Sequence, residues 1–163
     1  MYPTKHHKPA SIAQAVTALT GYNDAMVLAD GQTLIWTMKQ HLAAPSDLVD
    51  VRAIDSLVGV SVAGDTLSIS AATTHAEVVA NADVQRLCPS LAKLANGIGG
   101  PAVRHMGTIG GSIANNDPAA DYPVGLLALG ATIVTNTHEI AADASFESVF
   151  ETSLIARRER GLW

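Results

Sequence analysis

The sequence predicts an α+β (α/β) fold in two parts: a small parallel βαβ subdomain over residues 1–57, then a second subdomain over residues 58–154 with a mixed or antiparallel sheet and helices. Three observations predict it. Between residues 26 and 51 an apolar run, a small polar loop, a helical pattern and a second apolar run follow one another, which is the order of a βαβ unit. Two alternating segments joined by Ala63-Gly-Asp65 then read as a hairpin. Finally, glycine, hydroxyl, amide and carboxylate residues crowd together at 108–121, after several helical patterns, and mark a candidate site.

In chain order, Ser11 opens a capping box with Gln14, and Ile12, Val16 and Leu19 recur at helical spacing until Gly21. Met26-Val-Leu28 is the first strand of the βαβ unit and runs into Ala29-Asp-Gly-Gln-Thr33. Leu34, Ile35, Met38 and Leu42 share one helical face, Pro45-Ser-Asp47 ends that run, and Leu48-Val-Asp-Val51 is the second strand. After Ile54 and Leu57 the hairpin strands fall at residues 58–62 and 66–70. Thr74 and Glu77 form a second capping box, and Pro89 opens a helix carrying Leu91, Leu94, Ala95 and Ile98. Beyond the dense stretch, Leu126, Leu127 and Leu129 predict a helix closed by Gly130, followed by strands near 132–135 and 138–142 with a turn at Asn136.

Composition narrows the function. At 163 residues and 48% hydrophobic content the chain can bury a core of ordinary domain size. A net charge of −5, with 15% charged and 4% aromatic residues, provides neither the basic footprint nor the stacking platforms of a nucleic-acid binder. No apolar stretch approaches the roughly 20 residues a membrane span needs, and residues 1–10 lack the apolar run of a secretory signal. A single cysteine, Cys88, excludes an internal disulfide, so the expected compartment is the cytoplasm. The six histidines lack paired metal-site spacing and read as solvated or helix-cap residues, with His6 and His7 in a mobile terminus. Cys88, before Pro89 in an apolar neighbourhood, reads as an inert buried thiol. No Gly-x-Ser-x-Gly elbow, phosphate-binding P-loop or Gly-x-Gly-x-x-Gly fingerprint occurs.

Two loops remain as candidate sites. The βα loop at 29–33 lies where α/β units bind anions, although a plain polar turn fits it as well. The 108–121 stretch offers adjacent Gly110 and Gly111, at which a ligand can approach the backbone closely, flanked by the Thr108 and Ser112 hydroxyls. Asp117 and Asp121 suit a polyhydroxylated ligand; alternatively Asp117 makes a turn before Pro118 and Asp121 caps the next helix.

Together the two loops resemble the FAD-binding medium subunit of the carbon monoxide dehydrogenase and xanthine dehydrogenase family of molybdenum hydroxylases. In that family a first loop Ala-Gly-Gly-Gln-Ser/Thr and a second loop Thr-Ile-Gly-Gly-Asn/Ser, followed by Asp-Pro-Ala-Ala-Asp, hold the flavin between two α/β subdomains. Here they stand as Ala29-Asp-Gly-Gln-Thr33, Thr108-Ile-Gly-Gly-Ser112 and Asp117-Pro-Ala-Ala-Asp121, and the likeness extends over about residues 1–154. The resemblance implies FAD as cofactor. It assigns Ala29, Asp30, Gly31, Gln32, Thr33, Thr108, Ile109, Gly110, Gly111, Ser112 and Asp121 to its binding. Backbone N–H groups of 31–33, 110 and 111 would meet the pyrophosphate, the Thr108 and Ser112 hydroxyls would add contacts, and Asp121 would meet the ribityl chain. The residues suit those roles, because backbone concavities of small residues bind anions without a cationic side chain. No residue is assigned a proton-transfer role. The implied function is electron transfer from iron–sulfur clusters on a small partner subunit through FAD to an external acceptor, with molybdenum on a large partner subunit. One cysteine cannot ligate an iron–sulfur cluster, so those centres are expected on partner chains.

Three departures modify the expectation. Asp30 stands where the family usually has glycine. Like charges ~4 Å apart repel by about 1 kcal/mol in water and about 4 kcal/mol at an effective dielectric of 20, so weakened flavin binding is expected. Trp36 stands where proline is common. Residues 155–163 do not resemble the family's continuation; a non-family tail, the absence of the family's C-terminal domain, and truncation or a shifted reading frame are expected. The alternative function is a non-redox remnant that binds flavin weakly or not at all and serves as an assembly or interaction module.

Overall fold

The structure, a computed structural model, describes residues 2–145. The expected boundary at 154 and the tail at 155–163 lie outside the described residues.

The chain begins with a three-stranded parallel sheet. Strand β1 (Lys5–His7), helix α1 (Ile12–Gly21), strand β2 (Ala25–Leu28), helix α2 (Leu34–Lys39) and strand β3 (Asp47–Asp50) follow in sequence, and the strand order is β1-β3-β2. The parallel pairing of β2 with β3 around α2 is the expected βαβ unit, in the register Met26 with Leu48 and Val27 with Val49. Ser11 caps α1 by accepting the Gln14 N–H, while the Gln14 side chain reaches back to the Ala10 N–H. Helix α2 is shorter than its apolar pattern: it ends at Lys39, and His41 takes a left-handed φ of 61°. Ala15, Val49, Val51 and Ile54 form one buried cluster around this sheet, and Leu28, Met38 and Leu48 form another.

Strand β1 corrects the expectation of a mobile terminus with solvated histidines. Lys5, His6 and His7 pair in register with Asp47, Leu48 and Val49 of the central strand. His7 Nε2 lies 2.7 Å from Asp47 Oδ1, and His6 Nε2 lies 3.3 Å from Asp50 Oδ2. Both carboxylates are buried, so their hydrogen bonds are a condition of burying them. The His7 bond holds Asp47 below its ordinary range, with Ser46 adding to the effect. At Asp50 burial pushes upward, but the Arg52 hydrogen bonds, one from its backbone N–H and two from its guanidinium, together bring the carboxyl below 3.8.

After a short 3-10 turn (Asp55–Leu57), the expected hairpin forms from β4 (Val60–Ala63) and β5 (Thr66–Ile69), paired antiparallel with Gly64 at φ 59° in the turn. Helices α3 (His75–Ala80), α4 (Ala82–Leu87), α5 (Pro89–Gly97) and α6 (Pro101–Arg104) follow. Thr74 and Glu77 make the complete capping box expected of them. Helix α4 had no apolar periodicity to announce it; Asn81 caps it by accepting the N–H groups of Asp83 and Val84. Helix α7 (Ile109–Asn115) and helix α8 (Asp121–Ala128) lead to the antiparallel pair β6 (Thr132–Val134) and β7 (Glu139–Ala141), then to α9 (Ala142–Ser145). Val78, Val84, Leu91, Ala92, Ala95, Ile109 and Tyr122 form the buried core of this part. Among the described residues no helix is long and apolar enough to cross a membrane.

Asp50→Asn should lower stability by about 1–3 kcal/mol at neutral pH, because a buried charge-assisted network loses its charge. Asp50 is an acid with a depressed folded-state pKa, so its contribution is complete above the unfolded value of about 3.9 and disappears as pH falls through the folded value. Urea unfolding of both proteins at pH 7 and pH 3 should therefore show a gap at pH 7 that narrows at pH 3; a gap independent of pH would contradict the assignment.

Candidate functional site

The dense 108–121 stretch is fixed by pairing with residues 71–75. Thr74 and Thr108 form an isolated antiparallel bridge. Around it Gly110 N–H donates to the Ala71 carbonyl at 2.8 Å, Ile109 N–H to Thr73 at 3.0 Å, and His75 N–H to Gly107 at 2.9 Å. Thr73 in turn ties this segment to the start of the hairpin, its hydroxyl accepting the Gly59 N–H and donating to the Gly59 carbonyl. The expected glycine loop is therefore a helix: buried Thr108 is the N-cap of α7, its Oγ1 accepts the Gly111 N–H at 3.1 Å, and Asn116 closes the helix at φ 48°. Glycine's poor helix propensity is outweighed here by the cap and by packing.

Each glycine of the pair has a separate steric reason. A Cβ on Gly110 would lie 2.5–2.8 Å from Ala71, including its backbone oxygen and Cα, so α7 can sit on residue 71 only with glycine there. A Cβ on Gly111 would instead meet two side chains, Thr108 Oγ1 at 2.7 Å and Asp30 Oδ1 at 3.0 Å, with Ala29 Cβ at 3.6 Å. Gly111 is thus where the two candidate segments touch.

The 29–33 segment connects β2 to α2. Gly31 has φ 74°, a left-handed conformation, and a Cβ there would also run into the Ile35 side chain at 2.5 Å. Asp30 folds back so that its Oδ2 accepts the Gln32 N–H at 3.3 Å. The N–H groups of Gly31 and Thr33 donate to no acceptor among the described residues. The pyrophosphate donors expected at Gly110 and Gly111 are already bonded within the protein, so the unengaged backbone donors of the site belong to the first segment.

Both segments line one open cleft of about 2140 Å³, which also runs past α1, β5 and residues 129–137. Residues 29–33 and 107–115 line it, so Ala29, Asp30, Gly31, Gln32, Thr33, Thr108, Ile109, Gly110, Gly111 and Ser112 are brought together on its walls. Asp121 is not among the lining residues; it is exposed in the first turn of α8 and makes no side-chain cap there. Asp117 does line the cleft, and its Oδ1 accepts the Ala119 N–H at 2.9 Å in the turn before α8.

Sequence reasoning missed His75. It follows the Thr74 cap as the first residue of α3, lines the cleft, and is only 4% exposed rather than solvated. A Cβ on Gly107 would lie 2.6 Å from its Nε2, so that glycine makes room for the ring. Tyr122 packs against it with ring centroids 5.3 Å apart, and His75 Nδ1 and the Tyr122 hydroxyl both lack hydrogen-bond partners among the described residues. Burial lowers the His75 pKa, opposed by the charge of Asp30 and reinforced by that of Arg104. Burial likewise raises Tyr122, with Asp121 adding to it, so both rings are neutral at pH 7. Only the conjunction of His75 with Gly107 carries a signal of this burial, and it is not visible along the chain.

Residues 2–160 match the family described as the FAD binding domain in molybdopterin dehydrogenase. The chain belongs to this family. FAD is accordingly the cofactor of the domain. The chain is 42% identical over 127 residues to the carbon monoxide dehydrogenase medium chain of Afipia carboxidovorans, covering 77% of this chain and 44% of that one. It is 33% identical over 156 residues to the nicotine 6-hydroxylase medium subunit of Paenarthrobacter nicotinovorans, covering 93% and 55%. Among solved structures, carbon monoxide dehydrogenase from Hydrogenophaga pseudoflava superposes with a TM-score of 0.88 at 35% identity, covering 92% of this chain and 54% of that chain. This FAD-binding domain thus spans about half the length of the curated relatives it matches.

The packing of the domain separates the two glycines. Gly110→Ala should cost about 1–3 kcal/mol, because the methyl meets backbone. At Gly111 the methyl would meet the Thr108 Oγ1 that caps α7, so a gain of about 1 kcal/mol in helix propensity is set against loss of that cap, worth about 0.5–2 kcal/mol, and the net cost should be smaller than at Gly110. Denaturation midpoints in the reverse order would contradict the packing described. His75 makes a second prediction. It is a base with a depressed folded-state pKa, so below about 6.5 the unfolded chain binds a proton that the folded chain does not. Stability should fall with decreasing pH in that window, by at most about 1.4 kcal/mol per pH unit, and His75→Phe should flatten the fall. Equal slopes in the two proteins would show that His75 is not held neutral.

Proposed function

We propose that the chain is the FAD-binding electron-transfer component of a molybdenum hydroxylase. In this reading it takes electrons from iron–sulfur clusters on a small partner subunit, which a molybdenum centre on a large partner subunit reduces, and delivers them to an external acceptor in the cytoplasm. The single observation that carries the reading is the meeting of the 29–33 and 108–112 segments across one cleft, at Gly111. The family match and the carbon monoxide dehydrogenase relatives support the oxidoreductase class. The division at residue 57/58 then has a functional sense: each of the two units, 1–57 and 58–154, provides one wall of the cofactor site.

The residues present suit a flavin dinucleotide. Unengaged N–H groups at Gly31 and Thr33 can meet a diphosphate, and Ser112 on the facing wall adds a hydroxyl. Gly110 and Gly111 contribute by being small: one lets α7 settle on Ala71, the other leaves the gap beside Asp30. Thr108 acts through its cap, which fixes the first turn of α7, and Ile109 anchors that turn in the core. Ala29 keeps the approach to Gly111 narrow. Gln32 can offer its N–H once Asp30 releases it. Asp121 is exposed at the start of α8, next to Ala120 on the cleft wall, and would meet the ribityl chain from there. Bound FAD supplies the one- and two-electron redox chemistry. The protein's part is to bind, orient and shield, and no residue need transfer a proton.

One observation favours a second reading. The Asp30 carboxylate holds a donor the diphosphate would use, which fits a remnant that keeps the fold but binds flavin poorly and serves assembly. Incubating the purified chain with FAD and desalting it decides between them. The leading reading expects yellow protein with flavin absorption bands that bleach under reduced nicotinamide or another electron donor. Colourless protein at saturating FAD would overturn it in favour of the remnant.

A further inference from the structure

The position of Asp30 leads beyond cofactor identity to how the cofactor is selected. Its carboxylate is half-buried between the two cleft segments: Oδ2 accepts the Gln32 N–H, and Oδ1 faces Gly111 at the 3.0 Å that a Cβ would have to overcome. It forms no ion pair with any described residue. Two ionisable groups that feel its charge are otherwise committed. Arg52 is bonded through its guanidinium to Asp50, and His75 is buried and neutral. A carboxylate with no ion-pair partner among the described residues therefore stands in the part of the site that has backbone donors and a glycine gap.

We propose that Asp30 is a built-in competitor for the diphosphate of the dinucleotide, and so sets how strongly the cleft prefers FAD over unphosphorylated flavin. The proposal rests on the FAD reading above. With no ligand, the carboxylate occupies the Gln32 N–H and satisfies it. A diphosphate approaching the same donor meets a like charge at hydrogen-bonding range, in a cleft where water screens it only partly. It can take the Gln32 N–H only if the Asp30 side chain rotates away. The isoalloxazine and ribityl parts carry no such charge, so riboflavin is indifferent to Asp30.

The test measures dissociation constants of FAD and riboflavin for the full chain, for Asp30→Asn and for Asp30→Gly. Asp30→Asn keeps an oxygen acceptor for the Gln32 N–H and removes only the charge; Asp30→Gly removes both. The ratio of the riboflavin constant to the FAD constant should rise at least about tenfold in both variants, equivalent to about 1.4 kcal/mol, with riboflavin binding unchanged within about twofold. Thermal midpoints confirm that each variant is folded. An unchanged ratio in both variants would overturn the proposal, and a rise confined to Asp30→Gly would replace charge competition with a steric or backbone effect. If the wild type binds FAD tightly and the ratios do not move, the competition fails while the FAD reading stands. If neither flavin binds any of the three proteins, the FAD reading fails and the competition with it.

Discussion

The short antiparallel pairing of residues 71–75 with 107–110 is the constraint on which the site depends. It consists of one bridge, Thr74 with Thr108, and three backbone bonds around it. Those bonds place α7 so that Ile109 enters the core beside Val78 and Tyr122 while Gly111 faces the cleft. They also consume the N–H groups of Ile109 and Gly110, with Thr108 taking that of Gly111. The first-turn N–H groups of α7 are thereby bonded within the protein, and in the proposed reading its glycines provide space for the cofactor. N–H groups unengaged among the described residues stand instead on the opposite segment, at the left-handed Gly31 and at Thr33.

The N-terminal sheet holds that opposite segment in place by a different means. Its central strand carries a carboxylate at each end, Asp47 and Asp50, both buried and both hydrogen-bonded to side chains from outside the strand. Such groups are costly to bury alone and specify their partners when bonded. His6, His7 and Arg52 are those partners, so a strand with no apolar residue of its own is recruited to the sheet edge. Strand β2 pairs with the other side of β3 and delivers residues 29–33 to the cleft from a fixed position.

What could be read along the chain was what local physics decides. The βαβ unit, the hairpin and the capped helix at Thr74 follow from periodicity, turn residues and capping, and they form where those signals place them. The family followed from two motifs, and the motifs meet in space. What escaped depends on partners distant in sequence. Lys5-His-His has no strand signature until Asp47 and Asp50 are beside it. Two adjacent glycines argue for a loop until Ala71 is under them. His75 resembles any polar residue at a helix start until Gly107 makes a place for its ring. Asp121, assigned to the ribityl chain by its motif, lies exposed at the start of α8, although Ala120 before it and Leu126 after it line the cleft.

The central claim, that the first segment donates to the cofactor while the second shapes the space for it, is tested most directly by amide hydrogen exchange with and without FAD. The Gly31 and Thr33 amides, lacking acceptors among the described residues, should exchange fast in the free chain and become protected when FAD is added, whereas Gly110 and Gly111 should be protected in both states. New protection at Gly110 and Gly111 with none at Gly31 and Thr33 would contradict this division of roles.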